Sequence, residues 1–194
     1  MSSAVEIANQ ALTKIGADRI TSFSDETTPA RVMSTIYEPT KTSLLRSYPW
    51  NCAIKREKLA QLADEPLNEF PFQYQLPEGF IKLLDVWAGE QKMDRPGAAM
   101  RAWAVEGDKL LTHDQNINIK YVANIESQDM DAHVEEAFVA KLASEASYAI
   151  QASNTNQDAL LGIYQMKLDE ARTTDNLEQP HTIFRISRLQ NVRY

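Results

Sequence analysis

The sequence predicts an α+β fold: a helical bundle made by the N- and C-terminal helices, a small antiparallel β-sheet inserted between them, and an extended C-terminal tail. Apolar residues recur at helical spacing up to Leu45 and again after Asp129, whereas between them they alternate or cluster as strands do. The change falls at Tyr48-Pro49-Trp50. A residue before proline is pushed out of the helical region and the proline has no amide to donate, so a helix running up to Ser47 must stop there. The expected organisation is N-terminal bundle helices over 1–49, an inserted antiparallel β module over 50–128, C-terminal bundle helices over 129–176 and the tail over 177–194.

Ser3-Ala4-Val5-Glu6 has the form of a capping box, in which the serine hydroxyl and the glutamate satisfy each other's backbone amides. Val5, Ala8, Leu12 and Ile15 follow at spacings that mark one buried face, and Gly16 supplies the stop. Ala17 to Thr27 is a polar connection whose Ile20 and Phe23 plug into the core. Thr28 and Pro29 open a second helix, with Val32, Met33, Ile36, Tyr37, Leu44 and Leu45 on its apolar side. Pro39 removes one hydrogen bond within it, a change that costs about 3 kcal/mol in an ordinary interior position. This predicts a kinked helix from about 28 to 47, or two short ones broken near Glu38.

Trp50 to Leu62 is read as a strand running into a loop over Ala63 to Glu69. Phe70 to Leu76, Phe80 to Trp87, Ala102 to Val105, Lys109 to Thr112 and Asn118 to Val122 are the remaining strands, with Glu106-Gly107-Asp108 as a hairpin turn. Asp131 is a cap for a third helix whose Val134, Phe138, Leu142, Ala146 and Ala149 or Ile150 form a stripe. Ala137, Ala143 and Ser147 permit close approach by a neighbouring helix. Thr155-Asn156-Gln157-Asp158 is read as a second capping box, opening a helix with Leu161, Tyr164, Leu168 and Ala171 on its stripe and fading from Thr173.

Length and composition fit one sizeable core: 194 residues, 43% hydrophobic, without internal repeats or low-complexity runs. The net charge of -7 argues against a nucleic-acid reader, which needs a basic face to displace counterions from phosphates. Charge is unevenly placed, since His181 to Tyr194 carries three arginines and no acid, leaving -10 over residues 1–180. One cysteine excludes an intrachain disulfide, no signal sequence follows Met1, and no apolar run nears the ~20 residues that span a bilayer, so a soluble protein made in a cytoplasm is expected.

No catalytic, cofactor or metal site is predicted. His113, His133 and His181 sit in unrelated regions without ligand spacing, and neither a Gly-rich phosphate loop nor a nucleophile elbow is present. Cys52 is read as a small buried hydrophobe. Glu135, Glu136, Asp169 and Glu170 could in principle supply a glycosidase pair, but adjacent positions on a helix point apart, so they are read as solvated faces. The predicted partner-binding residues lie in the tail: Ile183, Phe184, Arg185, Ile186, Arg188, Leu189, Arg193 and Tyr194. Its fourteen residues beyond Pro180 reach on the order of 45 Å when extended, far enough to lie on another subunit.

Ala8-Asn9-Gln10-Ala11-Leu12-Thr13-Lys14-Ile15-Gly16, Ile20-Thr21-Ser22-Phe23-Ser24-Asp25-Glu26, Leu44 to Ala53 around Tyr48-Pro49-Trp50, and Tyr74-Gln75-Leu76-Pro77-Glu78-Gly79-Phe80 together resemble bacteriophage head-to-tail adaptors of the tail tubular protein A family. Pro39 departs from that family's uninterrupted second helix. The resemblance implies a ring subunit of the virion neck, commonly one of twelve copies, bound between the portal and the tail nozzle or tail tube. It implies no enzyme activity, no cofactor, no membrane, and genomic DNA that passes through the channel without sequence-specific binding. Net negative charge suits such a channel, because basic walls would grip DNA. Two other readings are a virion-associated peptidoglycan hydrolase, an activity credited to members of the wider adaptor family, and another neck component such as a head-completion or stopper protein.

Overall fold

The computed structural model describes residues 2–67, 69–93, 103–151 and 154–178. Among the described residues, four helices and seven strands run in the order α1 (Ala4–Lys14), α2 (Thr28–Ser47), β1 (Ile54–Lys58), β2 (Phe72–Gln75), β3 (Phe80–Ala88), β4 (Gln91–Lys92), β5 (Trp103–Glu106), β6 (Lys109–Thr112), β7 (Ile117–Ala123), α3 (Ala132–Gln151) and α4 (Asn154–Leu177). The α+β class is therefore as predicted, and both terminal pairs of helices flank the strands in sequence.

The capping box at α1 forms, with the Ser3 amide donating to Glu6 Oε2 at 2.7 Å and the Glu6 amide donating to Ser3 Oγ at 3.3 Å. The buried face of α1 is broader than the stripe read from sequence, taking in Ile7, Asn9 and Ala11 beside Ala8 and Leu12, while Val5 is half-buried. Gly16 stands at φ 67°, the left-handed conformation that ends a helix without a Cβ clash. Asn9 is the buried polar residue of this face. Its Nδ2 donates to the Ile20 carbonyl at 2.9 Å and its Oδ1 accepts the Ile20 amide at 2.8 Å, which seats Ile20 in the core.

Helix α2 stays a single helix through Pro39 and is not broken near Glu38. Pro39 and Thr35, whose carbonyl loses its donor, both lie on the exposed side of the helix. Its cap is Thr27, whose Oγ1 accepts the Ala30 amide at 3.3 Å. As predicted, α2 ends before Tyr48, which is extended at φ −147° and ψ 148°. Trp50 is completely buried and donates its indole N–H to the Leu44 carbonyl at 3.1 Å, closing the chain back onto the helix it has just left. The strand expected from Trp50 starts only at Ile54, because Asn51–Ala53 form a 3-10 turn. That turn is pinned to the end of α4: the Asn51 amide donates to Asp175 Oδ1 at 2.8 Å and Asn51 Nδ2 donates to the Asp175 carbonyl at 2.9 Å.

The strands form two sheets, which corrects the single sheet read from sequence. A four-stranded antiparallel sheet has the order β1-β7-β3-β4, and a three-stranded one the order β2-β6-β5. Of the first, one face meets the helices through Ile81, Leu84 and Val122. The other face, with Phe80, Leu83, Val86, Ile119, Tyr121 and Ala123, closes a second core with Tyr74, Leu76, Leu110 and Trp103. Two register shifts in β3, between Phe80 and Lys82 and between Leu83 and Asp85, insert Ile81 and Leu84 as extra residues, and both turn to the helices. The β5–β6 hairpin turns at Gly107, φ 60°, as predicted.

Among the helices α3 is central and packs on α4, α2 and α1. Its predicted stripe of Val134, Phe138, Leu142 and Ala146 is buried, and so are the small residues Ala137, Ala143 and Ser147. Asp131 caps it, Oδ1 accepting the His133 amide at 2.9 Å. Gln10 of α1 donates to Glu135 at 3.2 Å, Gln151 bonds the Ile15 carbonyl and Thr40 bonds Glu145, so both N-terminal helices are tied to α3. Three readings of α4 need correction. Its buried leucine is Leu160, with Leu161 exposed, and the helix runs past Thr173 to Leu177. Thr155 lies inside α4 and not at its cap.

Candidate functional site

Three places on the described residues could carry function. The first is an open depression of about 660 Å³ beside the three-stranded sheet, lined by Asp64, Glu65, Glu69, Glu106, Lys109 and Phe70 among others. All four carboxylates are exposed. Solvated carboxylates of this kind have neither the buried environment that keeps one acid protonated nor a nucleophile beside them.

The second spans α3 and α4. Sequence reasoning leaves His133, Glu136 and Glu170 as unrelated surface groups, yet antiparallel packing of the two helices brings ligand-capable atoms of all three within 4.8 Å of one another. Lys167 stands among them, 2.8 Å from Glu136 and 3.0 Å from Glu170. The Lys167 ammonium holds the Glu136 carboxyl below the usual carboxylate range, and the two glutamates push the lysine up. Glu136 and Lys167 therefore each favour the charged form. A general acid for glycoside hydrolysis needs the opposite shift, and a cation would have to displace the lysine. The arrangement clamps α4 onto α3.

The third is a surface. Helix α4 buries Leu160 and Ala171 against α3 and half-buries Tyr164 and Leu168, but Ile163, Met166 and Leu177 project from its outer side at 39%, 60% and 71% exposure. Positions 163, 166, 170, 173 and 177 fall on one helical stripe, so these residues share a face. On the other flank Leu161 and Tyr148 are also exposed. The predicted partner-binding residues Ile183, Phe184, Arg185, Ile186, Arg188, Leu189, Arg193 and Tyr194 lie outside the described residues, as does His181. His113 packs its ring against Phe70, centroids 5.1 Å apart. Cys52 is half-buried, and burial raises its thiol pKa, away from the reactive thiolate. No family model matches the chain, and a search of curated proteins finds no match. Among the described residues no helix is long and apolar enough to cross a membrane.

Proposed function

We propose that this chain is a structural head-to-tail adaptor of a tailed bacteriophage, a ring subunit that joins the portal to the tail nozzle or tube and continues the DNA channel. The observation that supports it is the closing of α1 and α2 onto α3 with a pleated module carried outward between them from the Trp50 turn. This is the arrangement that the resemblance at Ala8 to Gly16, Ile20 to Glu26, Leu44 to Ala53 and Tyr74 to Phe80 implies. The outer face of α4 is assigned to a neighbouring copy in the ring, and the tail to a neighbour beyond it.

Electron microscopy of the purified chain mixed with its portal tests this: rings seated on the portal are expected, and their absence at every concentration overturns it. Removing His181 to Tyr194 is expected to leave cooperative thermal unfolding intact while weakening that docking. Loss of cooperative unfolding would make the tail part of the core instead. One observation favours the hydrolase reading, the approach of carboxylate oxygens of Glu136 and Glu170 to within 4.8 Å, no farther apart than the ~5 Å carboxyl separation of retaining glycosidases. A zymogram in which the wild-type chain clears peptidoglycan and the Glu136→Gln, Glu170→Gln double variant does not would establish it.

A further inference from the structure

The net charge of -7 conceals a basic surface that strand pairing assembles. On the face of the four-stranded sheet turned toward the helices, Ile81, Leu84 and Val122 join the helical core. Residues directly opposite one another in an antiparallel pair share a face, so the rows beyond Val122 follow from the register. Arg56 stands with Lys120 and Asp85, then Lys58 with Asn118 and Trp87, and Trp87 in turn faces Lys92. Lys82 lies beside Val122 at the border of the helices, next to Ile81, whose carbonyl accepts from Arg46 at the end of α2. Arg56, Lys58 and Lys92 are exposed, and Lys82 and Lys120 are half-buried.

One arginine and four lysines thus share these rows with a single carboxylate, and that carboxylate is engaged: Asp85 Oδ1 lies 2.5 Å from Lys92 Nζ. Glu57 belongs to the opposite face, where it accepts the Tyr121 hydroxyl at 3.1 Å. Arg56, Lys58, Lys82 and Lys120 have no ion-pair partner among the described residues. Arg56 and Lys120 are direct cross-strand partners, and like charges so placed weaken a sheet. A bound polyanion turns that cost into a gain.

We infer that this face binds the phosphate backbone of a nucleic-acid duplex, independently of sequence. Separate cationic side chains, each able to meet its own phosphate and release its counterion, are what a backbone contact requires. A protein partner is served less well, because protein interfaces are poor in lysine and close around a buried apolar centre. The large apolar residues exposed on the described chain all lie elsewhere. Stacking of single-stranded bases is not offered either, since the Trp87 ring is half-buried and Lys92 Nζ lies 6.0 Å from its centroid. The acidic remainder of the chain does not cancel the attraction, because exposed charges more than about 10 Å away are screened at 0.1 M salt. Total charge excludes a wholly basic surface and leaves room for a local one. The inference goes beyond the adaptor reading, in which DNA need only pass, and it is tested without a portal, so either can fail alone.

The experiment is fluorescence anisotropy of a short labelled DNA duplex of mixed sequence, titrated with the full chain between about 50 and 200 mM salt. With phosphates met by Arg56, Lys58, Lys82 and Lys120, the logarithm of the binding constant should fall against that of salt with a slope of about −3 to −4. The Arg56→Gln, Lys120→Gln double variant should flatten the slope by about two and weaken binding at about 50 mM salt on the order of a hundredfold. Lys58→Gln, at an exposed edge position, should flatten it by about one. Lys14→Gln, on α1, should change neither quantity. The double variant's thermal midpoint should be no lower than that of wild type, because it removes the opposed pair. No binding by wild type at about 50 mM salt overturns the inference, and so does a wild-type slope in the double variant, which would place the contact elsewhere on the chain. Tighter binding of a single strand than of the duplex also overturns it. Self-association at low salt that the double variant abolishes, without duplex binding, would give the face to a second copy instead.

Discussion

The helical core and the inter-sheet core share strand β3 but are closed in different ways. In the helical core one central helix, α3, receives three others, and the contacts are made by regularly spaced apolar residues such as Val134, Phe138, Leu142 and Ala146. In the inter-sheet core two sheets that share no hydrogen-bonded strand pair meet through Val86, Ile119, Tyr121, Tyr74 and Leu110. The difference teaches where order is local. A helix fixes its own buried face by its period and caps, whereas a sheet acquires a face only when a distant strand pairs with it.

The largest expected effect tests whether the two regions hang on one junction. Trp50→Ala removes a fully buried indole and its bond to Leu44, and should cost ~3–5 kcal/mol by urea unfolding. A change within about 0.5 kcal/mol would mean that the indole does not organise the junction. Leu110→Ala, fully buried between the sheets, should cost about 3 kcal/mol. Amide exchange on that variant sharpens the comparison, since acceleration confined to β2, β5 and β6 would show that the pleated module opens without the helices.

Asn9→Ala leaves the Ile20 amide and carbonyl without their buried partners, so about 2 kcal/mol of stability should be lost in the same assay. Ser3→Ala should cost ~1 kcal/mol, a local fraying at α1 visible by circular dichroism. The smallest effect is electrostatic. The Ser3 amide and then its hydroxyl hold Glu6 below the ordinary carboxylate range, so its stabilisation is complete above the unfolded value and disappears as pH falls through the folded one. The gap in thermal midpoint between wild type and Glu6→Gln should accordingly narrow between about pH 7 and about pH 3.

Much of the helical region was legible because its signals sit within a few residues of one another: Ser3 with Glu6, Tyr48 with Pro49, Val134 through Ala146. The errors mark the points where a distant partner decides. Leu160 and Leu161 are neighbours of equal hydrophobicity, and which of them is buried is set by how α4 docks on α3. Ile117, Ile119, Tyr121 and Ala123 alternate as a covered face does, but nothing in β7 says that a second sheet covers it. Strand β4, only Gln91 and Lys92, is too short to leave a pattern. The clamp of His133, Glu136, Lys167 and Glu170 and the basic sheet face around Arg56 and Lys120 likewise require residues from separate elements to be brought together. Spacing within any one element could not reveal them.

The two extra residues of β3 bear on how this chain can change in evolution. Deleting Ile81 or Leu84 would remove one of the two interruptions in pairing with β7, an improvement as far as the sheet alone is concerned, while withdrawing an apolar side chain from beneath the helices. Insertions and deletions in β3 are therefore tolerable only when helix packing changes in concert, so the strand's length should be inherited together with the residues of α2 that face it.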